Sequence, residues 1–435
     1  MRVVETIDVD IDWTRRFMRR KETILDTAFN VALLLENDAR WEGVLRWCDL
    51  THRPLKVKAP PIRGGTMGEW SESDLSELRF WVAEAYGWEP GSGNAKDAVV
   101  AVAKRRTFHP IREYLEGLRW DGQPRLDTWL WRYLGAADEV DADELAEADL
   151  AGRRDYVLDR RIKYLALTGA KWLISAVARV MKPGCQADHV LILEGPQGAG
   201  KSTVYRILAG EWVTDSPVEL GSRDGMEQIR GKWVVELAEL DSLHRAESTR
   251  AKQFFSSPND RFREFYGAAS RDHPRQCVFG GSTNSEGYLK DPTGNRRYWP
   301  VKCTAIDLDA LRADRDQLWA EALHRFQAGE AWHPTREEQE RLILPEQADR
   351  TRQDAWAALI AEWIADPSQR ETLFVTLPDL FGAVLHMEPA HMRPPEQQRL
   401  GEIMQTLGWR RVRRGARGQR VWGYERPMET TRVPG

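Results

Sequence analysis

Apolar positions recur at helical spacing through Ile24, Ala28, Val31, Leu34 and Leu35, so residues 1–58 read as mostly helical. Pro60, Pro61, Gly64 and Gly65 break that period and mark a turn or linker. Ser71 to Trp88 and Ala95 to Arg105 read as two further helices. Residues 108–134 hold two short amphipathic helices around Asp121-Gly122-Gln123-Pro124, and an acidic run without a basic residue follows at 138–149. Arg154 to Met181 keeps one long helical period up to Pro183-Gly184. Then the pattern changes. His189 to Glu194 is an apolar run of strand length leading into a glycine-rich turn, and a helix starts at Lys201 and continues to Leu208. Trp233 to Ala238, Gln276 to Gly280 and Tyr298 to Val301 are further strand-like runs, and Leu308 to Ala328 is helical. Short apolar strands alternating with helices predict an α/β core with a mainly parallel sheet.

Beyond residue 350 the spacing predicts helices at Ala355 to Ile364, Thr376 to Leu385 and Pro395 to Leu407, the second with Thr376 as N-cap and Asp379 three residues on. Strand-like Trp409 to Val412 and Gln419 to Tyr424 follow, joined by Arg414-Gly415-Ala416-Arg417-Gly418. Three helices and a basic hairpin are the pattern of a winged helix. The expected layout is a helical N-terminal region (1–105), a helical segment (106–182), a P-loop core (183–345) and a winged-helix-like module (350–427).

Composition changes this picture little. The 435 residues are 42% hydrophobic and 30% charged, an ordinary globular balance, and the 19 Trp fall mostly beside Leu, Val or Ile, as core residues do. A net charge of −4 hides a basic stretch, because residues 399–426 hold eight Arg against Glu402 and Glu425. The four Cys are far apart without C-x₂-C spacing, so no zinc site is expected and a reducing cytoplasm fits. No run approaches the ~18 apolar residues of a membrane span, and no signal peptide is expected.

The candidate chemistry starts at Gly195-Pro196-Gln197-Gly198-Ala199-Gly200-Lys201-Ser202, which has the spacing G-x-x-x-x-G-K-S, with Thr203 next. In such a loop successive backbone N–H groups surround phosphate oxygens, Lys201 reaches the β- and γ-phosphates, and Ser202 binds Mg²⁺. Hydrolysis also needs a carboxylate at a neighbouring strand end. Glu239, following Trp233 to Ala238, is the first choice for polarising water and holding the metal; Glu236 lies deeper in the strand and Asp241 beyond it. Cys277 to Asn284 is a strand ending in a polar triplet, and Asn284 can sense the γ-phosphate. Arg296 and Arg297 can stabilise charge on a transferring phosphoryl group, from a neighbouring subunit.

This order of motifs resembles the superfamily 3 helicases of viruses and phages. LEGPQGAGKST, GKWVVELAELD, DHPRQCVFGGSTN and DPTGNRRYWPV, with YLEGLRWDGQPRLDTWLWRYLG upstream, resemble the virulence-associated protein E family of prophages and mobile elements. The resemblance covers residues 105–305. It implies an AAA+-type core assembled as a ring, a hexamer, with ATP between subunits. Gly195, Gly200, Lys201 and Ser202 then bind nucleotide, Glu239 takes the Walker B position with Ala238 before it, Asn284 takes the sensor position, and Arg296 or Arg297 the arginine finger. It also implies a pore hairpin gripping single-stranded DNA within Lys252 to Arg275, a stretch holding Lys252, Arg261, Arg263, Tyr266, Arg271 and Arg275.

In the C-terminal module, Arg399 lies on the expected recognition helix, and Arg410, Arg411, Arg413, Arg414, Arg417 and Arg420 on the wing, where they suit DNA phosphates. Asp8-Val9-Asp10-Ile11-Asp12 reads as a solvated acidic end, and no primase activity is expected. The leading expectation is an ATP-driven helicase of phage or mobile-element replication acting on single-stranded and forked DNA. The alternative is a nucleotide-switched ATPase effector in phage defence.

Overall fold

The structure, a computed structural model, describes residues 13–136, 154–238, 245–263, 269–284, 288–289, 295–350, 355–369, 372–388, 393–414 and 420–426. The chain divides into two compact units, Met1–Arg350 and Thr351–Gly435.

The first unit begins with a small ribbon, β1 (Arg19–Arg20) and β2 (Thr23–Ile24), followed by helix α1 (Ala28–Asn37). Thr27 caps α1 by accepting from the Asn30 N–H, and Val31, Leu34 and Leu35 are buried, as their spacing requires. The helical reading of residues 1–58 stops there. β3 (Leu45–Cys48) and β4 (Arg53–Lys56) are strands, and with β5 (Gly68–Glu69) and, after helices α2 (Glu72–Tyr86) and α3 (Ser92–Lys104), β6 (Thr107–Phe108), they form a four-stranded sheet ordered β5-β4-β3-β6. Strands this short give no readable alternation against a helical background. Both expected helices are present, α2 opening on a Ser71–Asp74 capping box.

Helices α4 (Pro110–Gly117), α5 (Trp129–Leu134) and α6 (Arg154–Met181) lead into the core. On α6, Tyr164, Leu165, Trp172, Leu173, Ala176, Val177 and Val180 are buried, and the Trp172 indole donates to the Phe279 carbonyl at 2.8 Å. Trp233 and Trp319 are likewise buried with their N–H groups on backbone carbonyls of Ala176 and Leu208. These three tryptophans are core residues whose polar edge is satisfied, whereas the indole N–H groups of buried Trp41, Trp70, Trp129 and Trp299 have no hydrogen-bond partner among the described residues.

The core alternates β7 (Val190–Glu194), α7 (Lys201–Ala209), β8 (Val213–Thr214), α8 (Arg223–Gln228), β9 (Val234–Ala238) and α9 (Arg245–Ser256). A hairpin, β10 (Asn259–Arg263) and β11 (Ser270–Pro274), precedes β12 (Val278–Thr283), β13 (Tyr298–Lys302), α10 (Leu308–Gln327) and α11 (Leu344–Asp349). Five strands form one sheet ordered β13-β7-β12-β9-β8, every pair parallel. The P-loop strand is thus inside a parallel α/β sheet. Glu194 is in register with both Thr283 and Lys302, so the strands end level with one another.

The second unit consists of α12 (Ala355–Ala365), β14 (Phe374–Val375), a helical segment from Leu377 to Val384, α13 (Pro394–Thr406), β15 (Arg410–Arg414) and β16 (Val421–Glu425). The sheet order is β14-β16-β15, and Thr376 and Asp379 form the capping box that their spacing predicts. This is a winged-helix arrangement with its own core around Phe381, Leu400, Met404 and Trp409.

Two packing features generate tests. A Cβ on Gly280 would lie 2.4 Å from the ring of Tyr205, which is fully buried and donates to the Leu191 carbonyl at 2.7 Å. Gly280→Ala should destabilise the first unit by about 1–3 kcal/mol; an unchanged thermal midpoint would contradict this packing. Burial also pushes the Cys277 thiol up to about 11 and the Cys303 thiol up to about 12. Alkylation needs thiolate, and at pH 8 a thiol at that upper value is thiolate in roughly one molecule in ten thousand. Mass spectrometry after iodoacetamide at pH 8 should find Cys303 unmodified in the folded protein and modified after denaturation, with labelling of the native thiol rising only as pH approaches its shifted value.

Candidate nucleotide site

The apolar strand β7 drives the chain into the sheet, and the loop after it must turn sharply into α7. Gly195 has φ +148° and Gly200 φ +92°, where a side chain is disfavoured. A Cβ on Gly195 would also come 2.9 Å from the Cys303 carbonyl oxygen. Pro196, Gln197 and Gly198 are exposed, Ala199 is half-buried, and Thr203 lies half-buried in the first turn of α7. No side chain caps α7 at Gly200, so its first N–H groups are left for another acceptor.

Lys201 turns back into this loop. Its Nζ donates to the carbonyls of Gly195 and Pro196, both at 2.7 Å, and to Oδ1 of Asn284 at 2.8 Å. Burial lowers its pKa from the ordinary lysine value. Asn284 stands just past β12, held level with the P-loop by the sheet register and by the Gly195 N–H donating to the Thr283 carbonyl at 3.3 Å.

Next to Lys201, the Ser202 hydroxyl donates to Oε1 of Glu236 at 2.5 Å, and Ser282 donates to the same oxygen at 2.8 Å. The other carboxylate oxygen, Oε2, is buried and has no hydrogen-bond partner. A buried carboxylate with one open oxygen beside a serine hydroxyl is the donor set a hard divalent cation takes, so these residues fit Mg²⁺. The carboxylate that the structure brings to Ser202 is therefore Glu236, which strand position alone ranks below Glu239. Glu239 and Asp241 lie outside the described residues.

The two arginines differ. Arg297 donates to Ser256 Oγ at 3.1 and 2.8 Å and pairs with Asp188 at 3.4 Å, so it is tied into its own chain. Arg296 is exposed and has no hydrogen bond or ion pair with a described residue. Both precede Tyr298, whose register partner is Val190 at the start of β7. At about 3.3 Å per residue, β7 separates them from the P-loop by roughly 16 Å, beyond the reach of an arginine side chain.

One cluster escapes sequence reasoning. Glu194, immediately before Gly195, accepts from Tyr288 Oη at 2.9 Å and pairs with Arg350 at 3.3 Å. Arg350 also pairs with buried Glu346 at 2.8 Å, to which Arg161 is bonded as well. Burial alone would lower the Arg350 pKa, but Glu194 and Glu346 hold it above the ordinary arginine value. The only signal in the sequence is a charge closing the apolar run Val-Leu-Ile-Leu-Glu.

The expected DNA-facing residues separate into groups. β10 and β11 pair as an antiparallel hairpin, with Arg261 and Arg271 exposed, Arg261 pairing with Asp272 at 3.4 Å. Lys252 is half-buried on α9, ahead of the hairpin. Arg275 faces inward: it is 1% exposed, bonded to Asp260 at the hairpin base, and so anchors the hairpin rather than a ligand. The side chain of Arg263, and Tyr266 with Gly267, lie outside the described residues.

In the second unit, Arg399 packs over the Trp356 ring at 4.0 Å, which makes it a core-edge residue. Arg410 and Arg414 pair with Glu425. Arg411 and Arg413 instead flank Trp422, at 4.9 and 5.9 Å from its ring centre, and Trp422 is 54% exposed. Arg420 is exposed, and Arg417 lies outside the described residues.

No curated protein sequence matches this chain. Among solved structures, it is similar to the apo C-terminal region of NrS-1, at 12% identity and a TM-score of 0.44 over 92% of this chain and 100% of that one. A mutant of Thermotoga maritima RuvB aligns at 18% identity and a TM-score of 0.22, over 56% of this chain and 89% of that one. Residues 115–353, more than half of the chain, match the virulence-associated protein E-like domain, and the chain belongs to that family of P-loop NTPases.

Proposed function

We propose that this protein is a ring-forming ATPase that translocates on DNA and unwinds forks in phage or mobile-element replication. The observation that carries the reading is the split of the site between the two ends of one sheet. Lys201, Ser202, Glu236 and Asn284 gather at the strand C-termini, whereas exposed Arg296 stands at the opposite end. One chain then contributes a phosphate cradle and, separately, an arginine for a neighbour's phosphate.

In this reading Gly195 to Thr203 hold the triphosphate, and Lys201 exchanges its loop carbonyls for phosphate oxygens. Asn284, already on Lys201, reports the γ-phosphate. Ser202 and Glu236 would hold Mg²⁺, which would supply positive charge against the phosphates; Glu239 remains the proposed water-polarising base. Arg296 is the proposed finger, and Arg297 positions it by fixing the turn to Ser256 and Asp188. Arg261 and Arg271 on the β10–β11 hairpin, with Lys252 behind it, track a single strand. Arg411 and Arg413 beside Trp422, with Arg414 and Arg417, meet DNA through the wing.

Mixing variants tests the split site. Lys201→Ala and Arg296→Ala should each lower DNA-stimulated ATP hydrolysis by about 10²-fold or more. Mixed, they should recover part of the rate, because one interface in the assembly combines the intact halves. No recovery on mixing, with both variants folded and associating, would defeat the trans finger. Strand separation surviving in Lys201→Ala would defeat the motor, and hydrolysis without unwinding would favour the nucleotide-switch alternative. Glu236→Gln should keep nucleotide binding in the absence of Mg²⁺ but lose Mg²⁺-dependent hydrolysis by a similar factor; normal hydrolysis would remove Glu236 from the metal site.

A further inference from the structure

We propose that the N-terminal region carries a third nucleic-acid contact beside the hairpin and the wing, a basic ribbon at residues 15–21 that grips the phosphate backbone. The family match begins at residue 115 and leaves this domain without a role. The proposal rests on nucleic acid being the track of the ATPase.

The local sequence is Trp13-Thr-Arg-Arg-Phe-Met-Arg-Arg-Lys-Glu22. Trp13 and Phe17, four residues apart, both point into the core, their rings 5.5 Å apart, and Phe17 packs on Tyr86 at 6.1 Å. With those two side chains anchored, Arg15, Arg16, Arg19, Arg20 and Lys21 are all exposed. The ribbon is also pinned from beneath. Asn30, fully buried, accepts from the Met18 N–H at 2.8 Å and donates to the carbonyls of Met18 and Leu25 at 2.9 and 2.8 Å. Its three bonds fix the segment that enters and leaves β1 and β2, so the cations stand on a built platform.

The charge balance distinguishes this ribbon from an ordinary solvated surface. Elsewhere in the domain Arg40, Arg46, Arg53, Lys56, Lys96 and Arg105 each pair with a carboxylate. Arg15 has an interaction of its own, and between residues 16 and 25 the four remaining cations share the sequence with a single acid, Glu22. Arg19 reaches only the Glu22 carbonyl, at 3.4 Å, and Arg16, Arg20 and Lys21 have no ion pair or hydrogen bond with a described residue. Arg63 and Arg106 also have no ion pair with a described residue but stand singly, whereas Arg16, Arg19, Arg20 and Lys21 are grouped on one anchored ribbon, a surface complementary to a polyanion. Met18 is the ribbon's one exposed apolar side chain, at 48%, too little to insert into a lipid surface. A phosphate backbone is the partner this surface fits.

The test uses the full chain carrying Arg16→Gln, Arg19→Gln, Arg20→Gln and Lys21→Gln together, with a matched variant in which the three arginines become lysine. Binding to a single-stranded oligonucleotide is measured against salt, without nucleotide. Each phosphate contact contributes about 0.7 to the slope of log K on log salt for single strands, so the glutamine variant should lose about 3 from the slope and roughly a hundredfold in affinity at 0.15 M salt. The lysine variant should keep the slope, and DNA-free ATP hydrolysis should be unchanged in both. An unaltered slope in the glutamine variant overturns the proposal, as does an equal loss in the lysine variant, or binding to phosphatidylserine vesicles but not to DNA. If the slope falls as stated while forks are not unwound, the helicase reading fails and the ribbon stands.

Discussion

Parallel pairing is the constraint on which the rest of the core depends. Because β7, β9, β12 and β13 run the same way and end level, groups remote in sequence meet at one edge: the P-loop after β7, Asn284 after β12 and Glu236 from β9. The same constraint keeps the arginines before β13 away from that edge. No local flexibility can undo this, since the separation is the length of a buried strand. The P-loop edge and the arginine pair are therefore set apart by the sheet itself. The tight packing behind the edge, Tyr205 against Gly280 and Trp172 on the Phe279 carbonyl, holds the strand ends in place.

Much of this was legible in the sequence, and the gaps have physical causes. The runs at 190–194, 234–238, 278–283 and 298–302 are apolar enough on both faces to mark covered parallel strands, and the long α6 repeats its period over several turns. β8 and the strands of the N-terminal sheet have two to four residues each, too few for a period to emerge. Their pairing comes from tertiary packing, which one-dimensional patterns do not encode. In the second unit the winged-helix elements were readable because capping and turn residues, Thr376, Asp379 and Gly408, punctuate them.

Charged residues were harder to assign than apolar ones. A basic residue in a motif can meet a ligand, a carboxylate or an aromatic ring, and sequence does not distinguish these. Arg275 proves to be buried on Asp260, Arg399 to lie over Trp356, and Arg297 to be fixed by Ser256, while their neighbours Arg271 and Arg296 remain exposed. Glu236 shows the converse. Its place deeper in the strand ranks it below Glu239, yet the pleat aims it at Ser202. Strand position locates a carboxylate along the chain, and only the sheet's facing decides what it touches.

The pair between Glu194 and Arg350 bears on where this protein can be cut. Arg350 is the last residue of the first unit, and its guanidinium sits between two acids, one of them adjoining the P-loop. A truncation that removes the second unit together with Arg350 leaves Glu194 and Glu346 buried with fewer cations, a disruption worth about 3–5 kcal/mol when a buried pair loses one member. Loss of ATPase activity in such a fragment would then report a damaged catalytic edge, not a requirement for the winged helix. A domain boundary drawn one residue later, after Arg350, separates the two effects.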